Sequence, residues 1–188
     1  IARVSWMPAD NAALTLAGAS LFGMTVAGGT GLGVAFRVNT DGSGYTNLHV
    51  FNNRATNGST PYGSLTLVDG KLYGMTARGG ANGLGVLFAM ATDGTGYTHL
   101  HEFAGGVDDG AYPMGDLTRI GEVFYGMTTQ GGANNLGTVF RVNAEGTGHT
   151  NLHSFAGYPH DGAVPRGSLT LDGSTLYGMT QQGGKNPQ

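Results

Sequence analysis

A four-residue string recurs along the chain, as Phe22-Gly23-Met24-Thr25, Tyr73-Gly74-Met75-Thr76, Tyr125-Gly126-Met127-Thr128 and Tyr177-Gly178-Met179-Thr180, at steps of 51, 52 and 52 residues. Its surroundings keep the same register. A Gly pair follows each string (Gly28-Gly29, Gly79-Gly80, Gly131-Gly132, Gly183-Gly184), then Leu-Gly and an apolar run closing on Phe36, Phe88 or Phe140. Next comes an acidic-Gly segment, Asp41-Gly42-Ser43-Gly44, Asp93-Gly94-Thr95-Gly96 or Glu145-Gly146-Thr147-Gly148. A last run carries Leu48-His49, Leu100-His101 or Leu152-His153, followed by Phe51, Phe103 or Phe155. A fixed period of this length marks a repeat architecture.

Within one unit, period-two alternation, aromatic and β-branched content and Gly-bounded ends predict four strands, at Ser64–Val68, Lys71–Ala77, Gly85–Ala91 and Tyr97–Phe103. Asp69-Gly70 and Asp172-Gly173 are hairpin dipeptides of the kind that take φ > 0. No segment has a 3.6-residue apolar period, so helix content is expected near zero. Four antiparallel strands per roughly 40 to 50 residues suit a propeller blade; a solenoid or β-prism is the alternative. The expected fold class is all-β, a β-propeller-like array of four-stranded antiparallel blades with about 52 residues per repeat and about 3.5 repeats. It forms one domain over residues 1–188, with units near 1–51, 52–103, 104–155 and a partial 156–188.

Gly is 36 of 188 residues and charged residues only 11%, which would suit a disordered chain. Against that, hydrophobic residues reach 39% and the glycines hold fixed positions, as turn chemistry requires. A net charge of −3 and nine Lys and Arg without a run give no electrostatic footprint for nucleic acid or an anionic membrane. The absence of cysteine excludes a disulfide framework and a Cys-based zinc site. No segment approaches about 18 apolar residues, so membrane insertion by a helix is not expected.

The pattern Leu-Tyr-Gly-Met-Thr-x-x-Gly-Gly-x-x-x-Leu-Gly-x-Val-Phe, with Asp-Gly-x-Gly-Tyr-Thr-x-Leu-His-x-Phe and Asp-Gly-x-x-Pro-x-Gly-Ser-Leu, resembles the bacterial GloVer tandem repeat over nearly the whole chain. The period and the apolar run followed by Gly-Gly are also similar to kelch-like units. The GloVer resemblance implies a repeat module in secreted or surface-anchored bacterial proteins and implies no particular activity. That family commonly has Thr where this chain has Met24, Met75, Met127 and Met179, a departure expected to alter packing rather than chemistry.

Residues Ile1 to Trp6 align with a fourth strand, and the chain ends where a third strand should begin. The start at Ile1 instead of Met suggests upstream processing or truncation. Unpaired edges invite strand addition, so the expectation is a fragment of a longer array, or a homo-oligomer joined through its open β edges; a closed four-bladed monomer is the rival.

The column His49, His101 and His153, with His99 nearby, is the most evident candidate for metal or catalysis. Equivalent positions converge only near a propeller axis, and the fourth strand is outermost, so packing or hydrogen bonding is expected instead. The Met column reads as core filling. The acidic-Gly segments have too few oxygen ligands for calcium and read as tight turns. Asn57-Gly58, Asp109-Gly110 and Asp161-Gly162 also read as turns. No nucleophile elbow, P-loop or zincin motif occurs, so no catalytic residue, metal or cofactor is assigned.

In a meander, alternate connections emerge at one edge, and here the long ones share it. Variable loops on a rigid scaffold carry function, which makes Arg54, Tyr62, Arg78, Asp109, Tyr112, Tyr158, His160, Asp161 and Arg166 the candidate ligand-binding residues. Aromatic and planar polar groups suit a glycan or a peptide. The expected function is a non-catalytic extracellular or cell-surface module for binding or scaffolding. Alternatives are a structural subunit that assembles with copies of itself into a ring or fibre, and a glycan-active propeller enzyme with carboxylates about 5 to 10 Å apart.

Overall fold

The computed structural model describes residues 12–29, 31–52 and 55–184. The alignment of Ile1 to Trp6 with a fourth strand lies outside them. Every regular element in this range is a strand. The first sheet runs Thr15–Ala17, Ser20–Thr25, Val34–Asn39 and Thr46–Val50 in meander order. The second runs Thr66–Val68, Lys71–Thr76, Val86–Ala91 and Thr98–Glu102. The third runs Thr118–Ile120, Val123–Gly131, Thr138–Asn143 and Thr150–Ser154, and a hairpin of Thr170–Asp172 and Thr175–Tyr177 follows. The fourth strand is an outer edge in each sheet, as expected.

Turn chemistry explains the register. Asp69 and Gly70, at φ 47° and 77°, turn the first hairpin of the second sheet. The later dipeptide is shifted by one residue from the sequence expectation: Asp172 pairs with Thr175 as a strand residue, and Gly173-Ser174 makes the turn. The turns between third and fourth strands close on Asp41 and Asp93. Each Oδ1 accepts the N–H and the hydroxyl two residues on, at 2.9 and 2.7 Å. That is a local Asx turn, in which Oδ1 serves the turn itself.

A further short strand, absent from the sequence expectation, joins the second, third and fourth units. Gly110–Pro113 pairs with the far half of Val123–Gly131, while Thr118–Ile120 pairs with the near half. Gly58–Ser59 with Arg78–Gly79, and Gly162–Ala163 with Gln182–Gly183, repeat that pairing. Asn57-Gly58, Asp109-Gly110 and Asp161-Gly162 are therefore strand starts and not turns. Their glycines lie outside the positive-φ set. They are small because a Cβ at Gly58 or Gly110 would fall 2.2 or 2.3 Å from the Thr76 or Thr128 hydroxyl.

The apolar core lies between sheets. Phe22, Met24, Ala35 and Phe51 of the first unit pack with Leu65, Leu72, Phe88 and Met90 of the second. Tyr73, Met75, Leu87 and Phe103 of the second pack with Leu117, Phe124, Phe140 and Val142 of the third. Met24, Met75 and Met127 are buried gap-fillers, whereas Met179 is 81% exposed. Gly74 is paired directly opposite Phe88, and a Cβ on it would sit 2.8 Å from the ring tip; Gly126 and Phe140 repeat this at 2.6 Å. The glycines of the first three Gly-Met-Thr strings, Gly23, Gly74 and Gly126, thus seat a phenylalanine, whereas Gly178 meets Leu169 and Met127.

The inner edges of successive units are tied by side chains. The hydroxyls of Thr15, Thr66 and Thr118 donate to the carbonyls of Leu65, Leu117 and Leu169 of the following unit. Ser64 N–H donates to Asp116, whose own N–H donates to the Ser168 hydroxyl at 2.8 Å. There is room only because Gly63, Gly115 and Gly167 meet backbone to backbone: a Cβ on Gly115 would lie 2.1 Å from the Gly167 carbonyl oxygen. The result is an all-β, β-propeller-like array whose sheets do not close into a ring.

Replacing Gly74 by Ala forces the Phe88 ring off its seat. We expect a loss of about 1–3 kcal/mol, the usual cost of overpacking, read as a lower urea midpoint. An unchanged midpoint would show that the ring moves aside freely.

Candidate functional site

The link from each fourth strand to the next first strand is organised by one carboxylate or amide. Asp109 accepts from the N–H groups of Ala104 and Gly110 at 2.8 and 2.7 Å and from His101 Nε2 at 3.1 Å. Asp161 accepts from Ala156, Gly162 and His153 Nε2 at 2.8, 2.7 and 2.9 Å. Asn57 takes the same place, accepting from His49 Nε2 at 2.8 Å. The His column and the candidates Asp109 and Asp161 therefore hold the link together. Burial raises the Asp109 pKa, but the hydrogen bonds and the charges of His101 and His149 outweigh it, so the net shift is downward.

Beyond this cap the chain passes through Thr60, Tyr112 and Val164 at φ 52°, 56° and 56°, each just before a proline. Left-handed backbone is costly for β-branched residues. It is held by an N–H bond into the preceding unit: Thr60 to Leu32, Tyr112 to Leu84 and Val164 to Leu136, at 2.8–2.9 Å. Pro61, Pro113 and Pro165 then press on Gly33, Gly85 and Gly137 of that unit.

At this edge three units share a cavity of about 260 Å³. The column Tyr62, Met114 and Arg166 contributes one residue from each of three units, and Tyr112, Val164, Ala77, Thr129, Arg78 and Gln130 complete the lining. Equivalent positions of successive units can meet in one cavity only where the units converge, at their inner edges. The Arg78 guanidinium carbon stands 5.4 Å from the Tyr112 ring centre, within cation–π range. Thr129 Oγ1 donates to the Tyr112 carbonyl at 3.0 Å.

Four of the sequence candidates, Tyr62, Arg78, Tyr112 and Arg166, thus come together. Tyr158 (71% exposed) and His160 lie on the following link, outside the cavity, and Arg54 lies outside the described residues. Sequence reasoning missed Thr129 and Gln130, although they occupy the same column positions as Ala77 and Arg78. A larger space of about 370 Å³ between the third sheet and the hairpin at 170–177 is lined by Met127, Val139, His153, Phe155 and Leu169. Between the second and third sheets the equivalent Met75, Leu87 and Phe103 are covered by Phe140. It is packing space, with few converging polar groups.

Two of the fourth-strand histidines, His49 and His101, also stack on an aromatic ring of the next unit. His49 lies on Tyr97 at 3.7 Å and His101 on His149 at 3.8 Å, both with planes 7° apart. The second pair brings one donor atom each of His101, Asp109 and His149 within 4.8 Å of one another, a set that could hold a divalent ion. The in-plane lone pairs of parallel rings do not converge, however, and the identical His49–Tyr97 stack shows that the arrangement serves packing between sheets.

Residues 6–188 match the family model described as the Gloeobacter/Verrucomicrobia repeat. No curated protein matches the sequence. Among solved structures the chain is similar to one from a nidogen/laminin complex, at a TM-score of 0.58 and 13% identity, over 86% of this chain and 52% of that one. It is also similar to a putative TolB from Agrobacterium tumefaciens, at 0.50 and 13%, over 72% and 46%. The chain spans about half the length of the solved chains it matches. Both are β-propeller-like, and at this identity the likeness concerns the fold alone.

Burial, then the neighbouring His101, lowers the His149 pKa from 6.5 to about 4, with Asp109 offsetting only part. The unfolded chain takes up this proton near pH 6.5 and the folded chain only near 4, so stability should fall as pH drops through that window. His149→Tyr, which copies Tyr97, should flatten the dependence in part; what remains includes His49, lowered likewise by burial. Urea midpoints measured from pH 7 to 4.5 check this, and an identical slope in the variant would refute it.

Proposed function

The chain belongs to the Gloeobacter/Verrucomicrobia repeat family, and from that premise we propose that it is a non-catalytic binding module of the bacterial cell surface or exterior, taking a glycan at the cavity shared by three units. One observation carries this reading: Tyr62, Tyr112, Arg78, Gln130 and Arg166, drawn from three units, line a single concave site. Tyrosine rings offer flat apolar faces to a sugar ring, while amide and guanidinium edges bond its hydroxyls. Ligand sites of this kind combine aromatic walls with a few placed polar groups.

Binding is favoured over hydrolysis because glycoside cleavage uses two facing carboxyl groups, and the lining contains none. Asp109 and Asp161 are occupied within the links. The repeated backbone supplies rigidity, and the side chains that differ between units supply the surface, which is how loops on a fixed scaffold acquire ligands.

A glycan array probed with the wild-type chain and with a Tyr62→Ala/Tyr112→Asn variant tests the reading; Asn is used because position 112 needs left-handed backbone. The variant should melt like the wild type and bind on the order of tenfold more weakly, about 1.4 kcal/mol. Equal binding by both chains would remove this site.

A further inference from the structure

We infer that the ligand of this cavity is acidic, a saccharide presenting a carboxylate to Arg78 and Arg166; the inference rests on the glycan-binding reading above and names its substrate class. The whole chain carries a net charge of −3 and only nine basic residues. Two of these line one cavity of about 260 Å³, and none of the lining residues is acidic. Among the described residues neither arginine has an ion-pair partner. Unpaired guanidinium groups gathered in a concave, partly apolar site set up a positive potential that attracts an anion.

The repeat provides an internal control. Arg78 stands where the next two units have Gln130 and Gln182, and Arg166 stands where the two preceding units have Met114 and Tyr62. The same backbone is built at each position with an uncharged side chain, so the fold does not call for arginine at either. The charges are additions to the scaffold, and both fall in one cavity.

The placement also fits a carboxylate. With its carbon 5.4 Å from the Tyr112 ring centre, Arg78 leans on the aromatic face, which leaves its N–H edge free. A planar guanidinium edge meets a carboxylate through two parallel hydrogen bonds, a geometry that lysine cannot copy. Gln130 and Tyr62 remain for the ring hydroxyls. The volume lies just below the range of about 300–1,000 Å³ usual for drug-sized ligands, which fits one uronic acid residue of a longer chain.

The test titrates the chain with a galacturonic acid tetramer, a sulfated galactose tetramer and a neutral glucose tetramer, at low and high salt. Wild type should bind the uronate at least tenfold more tightly than the neutral sugar and more tightly than the sulfated one, with affinity falling as salt rises. Arg78→Gln and Arg166→Met, each copying a sister unit, should keep the melting temperature and lose most of that preference. Arg78→Lys should restore little, since it returns the charge without the fork. If the neutral sugar binds as well as the uronate, or the arginine variants bind the uronate like wild type, acid recognition is overturned while the glycan-binding reading stands. Preference for the sulfated sugar overturns the carboxylate assignment. If none of the three binds, both readings fail.

Discussion

The seating of a phenylalanine on a glycine decides how closely these sheets approach. Phe36, Phe88 and Phe140 each occupy the space that a Cβ on Gly23, Gly74 or Gly126 would need. With the ring lowered in this way, Phe51 of one sheet reaches Phe88 of the next at 5.6 Å, and Phe103 reaches Phe140 at 5.3 Å. Among the described residues no sheet has a core of its own, because each apolar cluster draws on two successive units. The first strands then come close enough for the threonine, serine and aspartate bonds that run from unit to unit, and for three units to share one cavity.

That hierarchy separates two kinds of residue. Those repeated in every unit set spacing and hold links: the Gly-Met-Thr strings, the Leu-His-x-Phe runs, the prolines that press on glycine. Stability in such an array is a sum of unit and neighbour terms, so these columns tolerate little change. Residues that differ between units, such as Arg78 against Gln130 or Arg166 against Met114, stand on the same backbone without supporting it.

The strands were legible because Gly, Asp and alternating apolar residues are local signals, and the four expected for the second unit fall within two residues of those observed. The misreadings came from contacts distant in sequence. Gly58 and Gly110 looked like turn residues, but their smallness answers to Thr76 and Thr128, eighteen residues on. Asp109 looked like a loop ligand, yet it is consumed by His101 and two backbone N–H groups. Four of nine candidate residues converged because periodicity identifies which edge a link occupies, whereas distance from the common axis depends on how units stack. His149 drew no attention from its sequence neighbours, since its partner His101 belongs to the preceding sheet.

The stack of a histidine on the ring of the following unit bears on how such a chain can be copied. A duplication whose boundaries fall between sheets would separate His101 from His149 and set each beside a stranger. One whose boundaries fall inside the fourth-strand run, just after its first ring (Tyr97 or His149) and before its histidine, carries His101, the link and His149 together. The inheritable module of this array is therefore offset by most of a sheet from the module seen in its hydrogen bonds, and new members can be inserted without rebuilding a single junction.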